Sequence, residues 1–135
     1  MDHIFIDRID LQVRAAALSV GDMLKQKQEE NSADIRARVV KAREIQAKRF
    51  AGHKGIYCNA QMSRSMLDTY AALDSECMDT LRKAIERFKL SARAYDRILR
   101  VSRTIADLEG NENITVDDIH EAITYRNLDR ASWGE

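Results

Sequence analysis

The chain has 135 residues, 44% hydrophobic and 33% charged, with no proline and five glycines, a composition that favours helices in one modest domain. Its 22 basic residues balance 22 acidic ones, so a polyanion contact has to come from a local patch and not from the overall field. Aromatics at 6% argue against a stacking platform for single-stranded nucleic acid. In chain order, residues 4–13 stand apart. Ile4-Phe5-Ile6 is apolar, and Ile9, Leu11 and Val13 alternate with polar residues at the period of a strand. No second strand offers itself, and an orphan strand cannot satisfy its own backbone groups. The expectation is that its sheet lies in a portion outside this chain. Ser19 with Asp22 resembles a capping box and predicts a short helix through about Lys27, followed by a polar loop to Asn31. Ser32 is the expected cap of a long basic helix with Ile35, Val39 and Ala42 along one side, ending near Phe50. Gly52 and Gly55 mark a loop reaching Asn59, and Ser63 starts a short helix carrying Met66, Leu67 and Tyr70. Asp74 caps a helix whose Cys77, Leu81, Ala84, Ile85 and Phe88 fall on one face. Ser91 caps another with Ile98, Val101, Ile105 and Leu108 as its seam, closed by Gly110 in a left-handed cap. Thr115 and Asp118 form a capping box for a last helix carrying Val116, Ile119, Ala122 and Ile123, and residues 125–135 read as a polar surface tail. The predicted fold is all-α: a compact bundle of about six helices behind a short extended N-terminal segment.

The Ser91 helix carries the most informative chemistry. With Ser91 as N-cap, Arg93 occupies the second helical position, at the end that already bears roughly half a positive charge. Arg97 and Arg100 follow at i+4 and i+7 on the same side, so like charges are stacked. A local rule broken three times in one stripe points to a missing anion, and phosphate is the usual guest at a helix N-terminus. The bland reading, a solvated basic edge, is preferred for Arg97 or Arg100 taken singly; for Arg93 the anion reading leads.

Other chemistries are weak. The glycines at 21, 52, 55, 110 and 134 cannot build a phosphate-cradling loop, so the chain alone is expected to catalyse nothing. Cys58 and Cys77 are isolated, and His3, His53 and His120 are far apart; no metal site and no disulfide are expected. No apolar run suggests a membrane span, and the charged Asp2, Asp7, Arg8 and Asp10 are foreign to a secretory leader. In the long helix, Arg36 with Arg43 and, roughly opposite, Arg38 with Lys41, Lys48 and Arg49 split a candidate nucleic-acid surface into two sides, which is more typical of a solvated helix.

Asp7-Arg8-Ile9-Asp10-Leu11, Ser32-Ala33-Asp34-Ile35-Arg36-Ala37-Arg38-Val39, the block from Leu90 to Gly110 and Tyr125-Arg126-Asn127-Leu128-Asp129-Arg130 resemble the C-terminal part of magnesium-chelatase-like AAA+ ATPases. The resemblance covers nearly the whole chain, and Arg103-Thr104-Ile105-Ala106-Asp107-Leu108-Glu109-Gly110 carries much of its specificity. It implies an α/β ATPase core followed by a helical lid, with residues 1–17 as the end of the core and 18–135 as the lid. It also implies that Arg93 is the sensor 2 arginine and that Arg8 is the arginine finger offered to a neighbouring subunit; Arg97, from the stripe, joins Arg93 as a candidate cofactor-binding residue. Both roles need a permanently charged planar donor, which lysine reproduces poorly. By the same resemblance ATP and Mg2+ belong to the parent protein, with none expected on this chain alone. The implied partners are the ATPase core of the same protein and further copies in a hexameric ring, with DNA as a candidate, no membrane, and a cytoplasmic setting. Family members associated with DNA branch migration in natural transformation make DNA remodelling the leading role. A chelatase motor inserting metal into porphyrin, a free-standing nucleic-acid-binding module and an oligomerisation domain remain the alternatives.

Overall fold

The computed structural model describes residues 8–25 and 29–126, and side chains at the helix ends account for most of its boundaries. Helix α1 (Val20–Leu24) opens where the Ser19 hydroxyl accepts a hydrogen bond from the Asp22 amide at 3.1 Å. It stops at Leu24, short of the predicted Lys27, and buries none of its residues. A single turn with no covered apolar face has little beyond its cap to hold it. Helix α2 (Ser32–Arg49) is capped by Asn31 and not by Ser32, the Asn31 side chain accepting from the Asp34 amide at 2.8 Å. Asparagine caps as well as serine, so the start moves by one residue. After a 3₁₀ turn (Asn59–Gln61) come α3 (Arg64–Tyr70), α4 (Ser75–Phe88), α5 (Ala92–Glu109) and α6 (Val116–Thr124). Their caps are the predicted Ser63, Asp74, Ser91 and Thr115. Gly110 takes φ 75°, and the Asn111 amide reaches back to the Ala106 carbonyl at 2.8 Å, closing α5 as expected.

Helix α5 is the centre of the bundle. Helix α6 lies along it, α2, the 3₁₀ turn and α3 cover its other sides, and α4 closes against α6. Met62, Leu67, Leu81, Ile98 and Ile119 are shut off from solvent between these elements, each worth about 1.5–3 kcal/mol of burial. The six α-helices among the described residues fit the all-α expectation. None is long and apolar enough to cross a membrane.

Three expectations need correction. The stripe predicted for α2 is buried only at Ala42; Ile35 and Val39 are exposed, and α2 packs through its second half, where Gln46 and the following Phe50 are also buried. The strand expected over residues 4–13 does not form in its described part, residues 8–13; its start lies outside the described residues. The backbone there finds other partners. The Gln12 amide donates to the Tyr125 carbonyl at 3.0 Å, and the Arg126 guanidinium donates to the Ile9 carbonyl at 2.5 Å. Residues 8–12 thus form a strap tied to the end of α6, which answers the need for backbone satisfaction without a sheet. The same contacts half-bury Tyr125 and bury Arg126, where a surface tail was expected; residues 127–135 lie outside the described residues.

Candidate functional site

The predicted arginine stripe is present on α5, but its three members are differently employed. Ser91 accepts from the Ala94 amide at 3.1 Å, which leaves Arg93 at the second position of an 18-residue helix with no acidic residue in its first turn. Arg93 is exposed, and no described residue forms a hydrogen bond or ion pair with its side chain. Arg97, one turn on, is ion-paired through Nη1 with Asp10 of the strap, while its buried Nε has no partner. Asp10 thus already supplies Arg97 with one anionic partner. Arg100 donates from Nε at 3.2 Å and from Nη2 at 2.9 Å to the Met62 carbonyl, tying α5 to the loop before α3. Asp96, the carboxylate nearest in sequence, is occupied by Arg64, whose guanidinium also lies 4.8 Å from the Tyr95 ring centre. The positive end of α5 thus presents one exposed guanidinium with neither dipole compensation nor a described counter-ion. Arg8 is exposed on the strap, two residues before Asp10. A largely apolar groove of about 430 Å³ between Leu11, Arg38, Val101, Ile105 and Leu108 has neither Arg93 nor Arg97 in its wall.

A second polar cluster was missed by reading the sequence. Asp107 on α5 is fully buried, and Arg49 of α2 grips it with two bonds of 2.7 Å. Asn59 donates to the same carboxylate at 2.8 Å and accepts from Arg49 at 2.9 Å, while Arg103 approaches from i−4 at 3.2 Å. Arg103 also donates to the Glu112 and Asn111 carbonyls at 2.8 and 2.7 Å, holding the turn after α5. Burial lowers the Arg103 pKa, and the Asp107 charge opposes that shift. Arg103 and Asp107 at helical spacing amid apolar neighbours were the available signal. Arg49 therefore leaves the basic set of α2, and Arg38 pairs with Glu30. Arg36, Lys41, Arg43 and Lys48 remain exposed, on the two sides the sequence predicted.

The sequence finds a match in known proteins. Residues 29–126 match the model of the magnesium chelatase subunit ChlI C-terminal domain. The chain belongs to the magnesium chelatase ChlI C-terminal family. It is 39% identical over 127 residues to competence protein ComM of Haemophilus influenzae, a match covering 93% of this chain and 24% of that protein. It is 35% identical over 127 residues to the uncharacterized protein YifB of Escherichia coli, again over 93% of this chain and 24% of the relative. An uncharacterized protein of Mycobacterium tuberculosis is 36% identical over 126 residues, 90% of this chain and 24% of its own length. The chain thus spans about a quarter of the length of these curated relatives. The matched ChlI C-terminal stretch takes in Arg93, Arg97 and the Asp107 cluster and leaves Arg8 and Asp10 outside it.

One further feature of this ChlI C-terminal domain is a pair of facing carboxyls. Asp118 is buried; its Oδ2 accepts from the Thr115 amide at 2.9 Å, and its Oδ1 has no donor. Burial, then the neighbouring Asp118 and Glu121 charges, raise the Glu109 pKa, with a bond from Asn111 at 3.0 Å opposing them. Two ionised carboxylates are acceptors alone, so the contact becomes a hydrogen bond when one of them carries a proton. Because the folded pKa is raised, ionised Glu109 opposes folding at neutral pH, and the penalty vanishes as pH falls below its unfolded value. Glu109→Gln is expected to stabilise the chain at pH 7 by up to about 1 kcal/mol, the scale of partly exposed charge interactions. Thermal melts at pH 7 and pH 4 test this: the gain should be present at the first and lost at the second.

Proposed function

We propose that this chain is the helical lid of an AAA+ ATPase of the magnesium-chelatase type and that it couples nucleotide occupancy to movement between subunits. The observation that carries this reading is Arg93: exposed, without a described partner, and placed at an α5 N-terminus with no acid in its first turn. Those residues fit a phosphate. A nucleotide held by an ATPase core supplies the negative charge that this end lacks, and the guanidinium and helix dipole both favour it. Arg93 binds and orients phosphate oxygens, and the bundle behind it moves as one body because α5 is its centre. Arg97 already has Asp10 as a counter-ion, whereas Arg93 has none among the described residues, so Arg93 carries the first contact. Arg8, exposed on the strap, acts as the arginine finger of a neighbouring site. In this reading the copies form a hexameric ring in the cytoplasm.

DNA remodelling is the proposed task, supported by the likeness to a competence protein. The chelatase origin of the family model supports a second reading, a motor for metal insertion into porphyrin. Stimulation of ATP turnover by branched DNA separates the two. The lid role is tested by Arg93→Ala in the protein joined to its ATPase core. Turnover is expected to fall about a hundredfold, the cost of removing one preorganised donor to developing charge, with the melting of the lid unchanged. Undiminished turnover together with undiminished nucleotide-driven assembly overturns the proposal.

A further inference from the structure

The strap and α5 share a connection that the fold does not need for its core. Arg8 and Arg93, the two arginines assigned above to nucleotide sites, stand at the two ends of a short chain of contacts. Arg8 is two residues from Asp10, Asp10 holds Arg97, and Arg97 lies one helical turn from Arg93 on the same face. The strap is fastened again on either side of Asp10, through the Ile9 carbonyl to Arg126 and through the Gln12 amide to Tyr125. These two fastenings reach α6, whereas Asp10 alone among the described strap residues forms an ion pair with α5.

The pair is built to open. Asp10 keeps 39% of its side chain exposed and Arg97 keeps 22%, so water screens the attraction. Arg97 engages Asp10 through Nη1 only, and its buried Nε is left without an acceptor. A guanidinium offers five donors in a rigid fork, and this one is partly unsatisfied where it stands. Movement of the Arg97 side chain therefore changes how it meets Asp10, at the ion pair that joins α5 to the strap.

We propose that Asp10 and Arg97 are a positioning pair that links the helix of Arg93 to the strap bearing Arg8. What Arg93 binds in its own subunit is thereby relayed to the arginine that the subunit offers its neighbour. The relay rests on the roles proposed above for Arg8 and Arg93, but the latch itself does not. Neither Asp10 nor Arg97 needs to touch the nucleotide in this scheme.

The latch is tested on the chain by hydrogen exchange at the Gln12 amide, which reports strap attachment without any nucleotide. Asp10→Asn keeps the shape and removes the charge. It is expected to speed that exchange about tenfold, the effect of losing one charge-assisted hydrogen bond, while amides of α5 and α6 keep their protection. Asp10→Glu should restore protection, and Asp10→Asn combined with Arg97→Gln should be no worse than the stronger single change. Unchanged Gln12 exchange, or fully additive effects, overturns the latch.

The relay is then read in the protein joined to its ATPase core. Asp10→Asn should reduce the cooperativity of ATP turnover towards a Hill coefficient near unity and lower kcat about fivefold or more, with KM nearly unmoved. A loosened strap with unaltered cooperativity overturns the relay and leaves only a structural tie. If Arg93→Ala is itself without effect, the lid reading fails, and the Gln12 measurement still decides the latch.

Discussion

Replacing Asp107 with alanine is expected to cost about 3–5 kcal/mol of folding stability, the loss typical when a buried charge is stripped of its partner. The carboxylate is fully buried and answers Arg49, Arg103 and Asn59 together. Its removal leaves two guanidiniums with 13% and 5% side-chain exposure and no anion between them. Domains of this size are stable by only about 5–15 kcal/mol, so about a fifth or more of the total rides on one side chain. Urea denaturation of the variant tests this, and a loss below about 1 kcal/mol contradicts the burial argument. Arg49→Met is expected to cost less, because Asp107 keeps Arg103 and Asn59. Asp107 also stands near the far end of α5 from Arg93, so the two substitutions separate stability from function.

The cluster has a geometric consequence for the site. Arg49 brings the end of α2 to α5, Asn59 brings the 3₁₀ turn, and Arg103 fixes the turn that leads to α6. Arg100 adds the Met62 carbonyl just before α3. Four elements are thereby held to one helix by directional bonds, and the apolar core fills the space between them. A helix fixed in this way can transmit a pull at its N-terminus to the whole bundle, which a loosely packed helix would absorb locally.

Local chemistry was legible and long-range pairing was not. Ser63, Asp74, Ser91, Thr115 and Gly110 announce helix ends because a cap satisfies backbone groups within a few residues of itself. The placement of Arg93 at the start of α5 followed from that alone. Asn31 was passed over for Ser32 because both are good caps and only the backbone decides between them. The exposed Ile35 and Val39 show the limit of periodicity, which finds an apolar face but not whether another element reaches it. Arg49 and Asp107 are 58 residues apart, and Arg97 and Asp10 are 87 apart. Charge patterning sees such residues as members of their own helices, so Arg49 read as part of a basic face and Arg97 as part of a bare stripe. The alternation at Ile9, Leu11 and Val13 suggested a strand because side-chain periodicity does not say which groups the backbone will bond. The partners here are Tyr125 and Arg126, which no local pattern announces.

Arg8→Ala is expected to leave the melting of the chain unchanged, since Arg8 is exposed and no described residue pairs with it, and to reduce ATP turnover of the assembled protein about a thousandfold. The size follows from the proposed role: an arginine finger meets charge that develops only in the transition state, so its loss acts on rate and not on folding. Mixed assemblies make the expectation sharper. Subunits carrying Arg8→Ala still present Arg93, and subunits carrying Arg93→Ala still present Arg8. If Arg93 serves its own subunit and Arg8 serves the next, each boundary between the two kinds in the correct order holds one complete set. Mixing two inactive preparations should then recover a substantial fraction of turnover. If both arginines of one subunit act on the same neighbouring site, every site lacks one of them and mixing recovers nothing. Either result assigns the subunit that Arg93 serves, whereas full turnover by the Arg8→Ala protein alone rejects the finger.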